Sequence, residues 1–128
     1  MKRRLGAAAV AAGTMLATGS ALAAPVHQAQ QTVTPVKITV SMGEFYFKLS
    51  RQSVRKTSSP LVVWFTVVNR GAIAHDFVLK SLRKGSRLLQ PGGKQVLKIT
   101  FRRKGRYPYL CNVPRHAEQG MAGTFVVR

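Results

Sequence analysis

From residue 36 to residue 128 the apolar residues recur with a period of two and never with a period of 3.6. That excludes helical bundles and helix-covered parallel sheets, and leaves folds made of short strands. Val36, Ile38, Val40 and Met42 alternate with Lys37, Thr39 and Ser41, and Phe45, Phe47 and Leu49 resume the alternation after a bulge expected at Gly43. Residues 50–60 are polar and break the pattern. Residues 61–68 are almost continuously β-branched or aromatic, which predicts a strand buried on both faces. Asn69-Arg70-Gly71 signals a turn, and 73–79 predicts a further strand that carries His75. A basic connector over 80–93 closes on Pro91-Gly92-Gly93. Leu97, Ile99 and Phe101 share one side of 96–101, Lys104-Gly105 turns the chain into 107–111, and 121–127 supplies the last strand. Short strands with Gly and Pro between them predict an all-β antiparallel sandwich. No internal repeat and no second domain is visible.

The N-terminus has a different character. Lys2-Arg3-Arg4, an Ala-rich run over 5–22 and the small-x-small site Ala21-Leu22-Ala23 predict a signal peptide over 1–23, cut after Ala23. A membrane anchor is the competing reading, but Gly13, Thr14, Thr18, Gly19 and Ser20 make the run weakly hydrophobic for a span. Arg3-Arg4 raises twin-arginine export, without the Phe-Leu that would strengthen it. Residues 24–35 are expected to be a flexible tail, with His27 an exposed side chain of no role, and 36–128 the folded domain. The expected location is outside the cytoplasm: periplasm, cell envelope or medium. There are 21 basic and 3 acidic residues, for a net charge of +18, and loss of Lys2, Arg3 and Arg4 takes it to +15. The acids are Glu44, Asp76 and Glu118, too few for paired-carboxylate chemistry such as glycoside hydrolysis. The excess of base favours acidic partners and anionic envelope surfaces. Export argues against a specific nucleic-acid role, and a plain solvated basic surface is the competing reading.

An exported chain would bridge paired cysteines, yet this one has a single Cys. Cys111 is therefore a free thiol or a ligand, and coordination would protect it from oxidation. It opens the densest cluster of metal donors in the sequence, Cys111-x4-His116-x4-Met121, on a loop interrupted by Pro114 and Gly120. Thiolate and imidazole bind first-row metals, and a thioether favours copper; two imidazoles, one thiolate and a weak axial thioether form the blue-copper site. The loop supplies one imidazole, so a second His must come from elsewhere. Singly, each residue has an ordinary explanation: Cys111 and Met121 as core, like Met42, His75 as a satisfied buried His, and His116 as a surface His. Their joint occurrence in an exported chain is what points to a metal.

The chain resembles the small cupredoxins of the plastocyanin/azurin type. The resemblance lies in His75-Asp76-Phe77-Val78, Leu89-Gln90-Pro91-Gly92-Gly93, Tyr107-x-Tyr109-x-Cys111 and Gly120-Met121-x-Gly123, and it covers 36–128. It implies a Greek-key sandwich and one copper ion, cycling between Cu(I) and Cu(II), held by His75, Cys111, His116 and Met121. It also implies that Asp76 ties the two ligand loops together. His116 is then the solvent-edge ligand, within an apolar patch of Ala74, Val113, Pro114 and Ala117 beside Arg115. A backbone N–H of Asn112 or Val113 is expected to donate to the Cys111 sulfur.

The expected function is a monomeric, non-enzymatic carrier of single electrons between transiently docked redox proteins. A copper storage or delivery protein is the alternative, and would favour open, Met- and His-rich coordination. A copper nitrite reductase needs further His ligands, and only His27 is left over. A metal-free β-sandwich interaction module is the remaining reading.

Overall fold

The structure, a computed structural model, describes residues 33–128 together with Gly13, Gly19 and residues 23–25. The expected leader and His27 therefore fall almost wholly outside the described residues. Residues Gln31–Arg128 form a compact unit of their own. Among the described residues no helix is long and apolar enough to cross a membrane.

The described residues form nine strands in chain order: β1 Val36–Gly43, β2 Tyr46–Leu49, β3 Ser53–Val54, β4 Leu61–Asn69, β5 Val78–Leu79, β6 Lys84–Gly85, β7 Lys94–Phe101, β8 Gly105–Leu110 and β9 Ala122–Val127. One sheet has the order β2-β1-β4-β7 and the other β3-β9-β8-β5-β6. The two make an all-β Greek-key sandwich. Both sheets are mixed: β1 runs parallel to β4, with Ile38 opposite Phe65, and β3 runs parallel to β9. The remaining pairings are antiparallel.

Period-two side chains explain the layering, because alternate residues of a strand point to opposite faces. Ile38, Val40 and Met42 of β1, Val63, Phe65 and Val67 of β4, and Leu97, Ile99 and Phe101 of β7 point inward. They meet Tyr109, Phe125 and Val127 of the opposite sheet and Phe77, which precedes β5. Phe65 is the hub, with its ring 5.6 Å from Phe77, 6.4 Å from Phe101 and 5.3 Å from Phe125.

Two strand expectations need correction. β4 is buried on one face only: Leu61, Val63, Phe65 and Val67 are inside, while Trp64 is exposed and Val62, Thr66 and Val68 half-covered. Its outer face lies in an unbacked sheet, so apolar residues there do not imply a second buried side. The strand expected over 73–79 shrinks to Val78–Leu79. His75 instead sits in a loop, joined to the sandwich by a single antiparallel bridge to Leu89. A short strand-like sequence becomes loop here because its backbone is satisfied away from the sheet: the Ile73 carbonyl by buried Asn69, the Ile73 N–H by Glu44, and His75 by Leu89. The bulge expected at Gly43 is absent: Gly43 is the last residue of β1, paired with Tyr46, and the chain turns at Glu44-Phe45.

Candidate metal centre

Three loops meet at one end of the sandwich, and each is held by its own local chemistry. The first follows β4. Asn69 is fully buried; its Nδ2 donates to the carbonyls of Ile73 and Leu89, both at 2.8 Å, and its Oδ1 accepts from the Gly71 N–H at 2.9 Å. The loop is thereby curled back so that His75 N–H reaches the Leu89 carbonyl at 3.1 Å and its carbonyl accepts from Leu89 N–H at 2.8 Å. His75 is completely buried.

The second loop leaves β8 at Cys111 and returns into β9 after Met121. His116 N–H donates to Val113, Gln119 N–H to His116, and Gly120 N–H to Ala117, so the chain winds tightly between its two sulfur-bearing ends. Gly120 has φ +119 and would place a Cβ 3.0 Å from the Phe45 carbonyl, so that position needs glycine on two counts. Met121 is fully buried, its N–H donates to the His116 carbonyl at 3.1 Å and its carbonyl accepts from Cys111 N–H at 3.0 Å. The backbone of Met121 thus pins the other two loop residues.

Asp76 joins the loops. Its Oδ1 accepts from the Asn112 N–H at 2.6 Å, as the resemblance implied. Burial pushes the Cys111 thiol up and the Asp76 carboxylate adds to that shift, while the backbone N–H groups of Asp76 and Val113 oppose it.

The side chains converge. Nδ1 of His75 lies 3.1 Å from Nδ1 of His116, and Cys111 Sγ lies 3.6 Å from the same His116 nitrogen. One donor atom from each of the three residues falls within 4.8 Å of the others, and all three residues are buried. Bond lengths of about 2.0 Å to nitrogen and 2.3 Å to sulfur around one tetrahedral ion separate the donors by roughly 3.3 and 3.6 Å. The two separations from His116 Nδ1 match, and the donor set of two imidazoles and a thiol suits copper. The cluster fits one copper ion.

The third loop is the β1–β2 turn, whose residues were assigned no role from the sequence. Glu44 Oε1 lies 2.8 Å from Nε2 of His75 and also accepts from the N–H groups of Ala72 at 2.9 Å and Ile73 at 3.0 Å. The hydrogen bond from His75, followed by those from Ile73 and Ala72, lowers the Glu44 carboxyl to about 2. The next residue, Phe45, packs edge-on against the His116 ring with centroids 5.0 Å apart. One signal was available: Glu44 is an acid in an otherwise apolar and basic stretch of a chain with only three acids.

A protein-family model described as a cupredoxin-like domain matches residues 6–127. The chain belongs to the cupredoxin family. No curated protein matches it. Among solved structures it is similar to the dithionite-reduced auracyanin of the photosynthetic bacterium Roseiflexus castenholzii, with 18% identity, TM-score 0.59, and coverage of 73% of this chain and 97% of that one. It is similar to auracyanin A of Chloroflexus aurantiacus, described as a "blue" copper protein, with 19% identity, TM-score 0.51, and coverage of 74% and 100%. A copper-containing nitrite reductase from Thermus scotoductus SA-01 matches with 12% identity and TM-score 0.57 over 73% of this chain, which is only 31% of that enzyme. Cupredoxin domains thus occur in small carriers and within larger enzymes. This chain matches the auracyanins along nearly their whole length.

Proposed function

We propose that this cupredoxin is an exported carrier of single electrons, in which one copper ion would be held by Nδ1 of His75, Sγ of Cys111, Nδ1 of His116 and the thioether of Met121. The observation that carries this reading is the meeting of two Nδ1 atoms and one sulfur inside a buried shell. Copper supplies a one-electron couple when bound; the protein supplies a scaffold that changes little between the two states.

Each residue has a defined part. Buried Asn69 and the Leu89 bridge fix the His75 loop, Asp76 ties it to the Cys111 loop, and the N–H groups of Asp76 and Val113 stabilise a thiolate. Phe45 and the packed core keep water from the donors. His116 is 8% exposed where His75 is fully covered, so it is the route by which an electron enters or leaves. Exposed Ile73 and Pro114, with half-buried Ala74, Val113 and Ala117, surround that edge and suit a brief, weak contact with a redox partner. The net positive charge favours acidic partners and steers their approach. The leader read over 1–23 supports export to the periplasm or envelope. Coverage of the auracyanins along nearly their whole length supports the carrier reading.

The test is the visible and EPR spectrum of the copper-loaded protein. An intense visible band with reversible redox is expected. Colourless, readily exchanged Cu(I) would establish storage or delivery in its place.

A further inference from the structure

The β1–β2 turn grips the metal end through two consecutive residues: Glu44 against His75 and Phe45 against His116. Glu44 is not a loose surface acid that happens to touch a His. Its Oε1 accepts three N–H groups, and the loop from Gly71 to Ile73 wraps it closely enough that a Cβ on Gly71 would strike the carboxylate. A carboxylate accepts and cannot donate, so His75 carries its proton on Nε2 and turns the Nδ1 lone pair inward. Within the described residues no other carboxylate lies this close to a basic side-chain nitrogen.

We propose that Glu44 is a positioning and charge-balancing residue for the metal site: its carboxylate fixes the tautomer of His75 and favours a doubly charged ion over a singly charged one at the His75–Cys111–His116 cluster. The inference rests on the copper reading. Its physical basis is charge neutrality. A doubly charged ion is matched by the Cys111 thiolate and the Glu44 carboxylate, whereas a singly charged ion leaves one negative charge in excess. The His75 end of the contact is fully buried and the Glu44 side chain is 32% exposed, so solvent screens the effect in part. An outer carboxylate of this kind changes metal affinity by roughly ten-fold or somewhat more.

The experiment titrates the wild-type protein and Glu44→Gln with Zn(II) and with Cu(I), and records the reduction potential of both copper-loaded forms. Gln keeps the length and one accepting oxygen and removes the charge. The expected result is about a ten-fold loss of Zn(II) affinity with Cu(I) affinity unchanged, and a raised potential; ten-fold is 59 mV for one electron. Equal losses for both ions would make Glu44 a structural prop, and no loss for either would leave it without a role; both overturn the proposal. Should the wild-type protein bind neither ion, the copper reading itself falls. Should it bind both while Glu44→Gln behaves identically, only the role of Glu44 falls. If Glu44→Gln does not fold, the imidazole nitrogen shifts of the Zn(II)-loaded wild type decide. Nε2 of His75 must be protonated and Nδ1 metal-bound, and the reverse overturns the proposal.

Discussion

Replacing Asn69 by Ala tests how the His75 loop is held. The substitution removes three hydrogen bonds, to Ile73, Leu89 and Gly71, from a completely buried side chain. Stranding three polar groups in the core would cost about 3–9 kcal/mol at 1–3 kcal/mol each. Their surroundings reduce this. The Leu89 carbonyl keeps the His75 N–H at 3.1 Å. Ile73 is 45% exposed and Gly71 is half-buried, so water can reach the carbonyl of one and the N–H of the other. What remains is the net value of one or two hydrogen bonds and a small void, about 2 kcal/mol in all. For a domain of this size that lowers Tm by roughly 8–16 °C. Because the loss lies beside a ligand, copper affinity of the folded protein should also drop, by about ten-fold. Thermal or urea unfolding of the metal-free protein measures the first effect and a competition titration the second. Stability within ~0.5 kcal/mol of wild type, or a loss above ~5 kcal/mol, would refute the accounting. Unchanged copper affinity would show that the loop is held by something else.

Phe65→Ala removes the hub of the aromatic core and should cost about 3–5 kcal/mol, read by urea unfolding, while the metal affinity of the folded fraction stays as it was. Cys111→Ala should abolish the visible band altogether. Met121→Leu should keep the colour and raise the potential, because a weak donor to Cu(II) is lost; a lower potential would contradict the axial role. The rate of electron exchange with an acidic partner should fall as ionic strength rises, and a rate independent of salt would remove the steering argument.

The sandwich was legible in the sequence because strand faces are written in period two: Ile38, Val40 and Met42, or Leu97, Ile99 and Phe101, each declare an inner side. The end of the sandwich was legible only in part. Cys111 and His116 stand close in sequence, so their spacing already suggests that they meet, whereas His75 was placed by resemblance. The strand there is shorter than 73–79 suggests, since the backbone of Ile73 is satisfied by the side chains of Asn69 and Glu44, which period and propensity do not encode. Val62, Val68 and Trp64 made β4 look buried on both faces, although a solvated sheet tolerates apolar residues outside. Glu44 was missed because its partner lies 31 residues away, and a contact across two loops leaves no local pattern.

The distribution of charge connects the fold to the site. All three acids lie at the copper end: Glu44 on His75, Asp76 on the Asn112 N–H, and exposed Glu118 on the His116 loop. The remainder of the sandwich carries cations and no acid, so surface ion pairs contribute nothing to its stability and like charges repel across it. Two opposite salt dependences follow. Screening shortens the Debye length from about 30 Å at 0.01 M to about 10 Å at 0.1 M, which weakens attraction to an acidic partner and relieves repulsion within the folded chain. Tm of the metal-free protein should therefore rise with sodium chloride over the range in which electron exchange slows. A Tm that falls with salt would mean that cross-surface attraction outweighs repulsion, which the placement of three acids among so many bases does not permit.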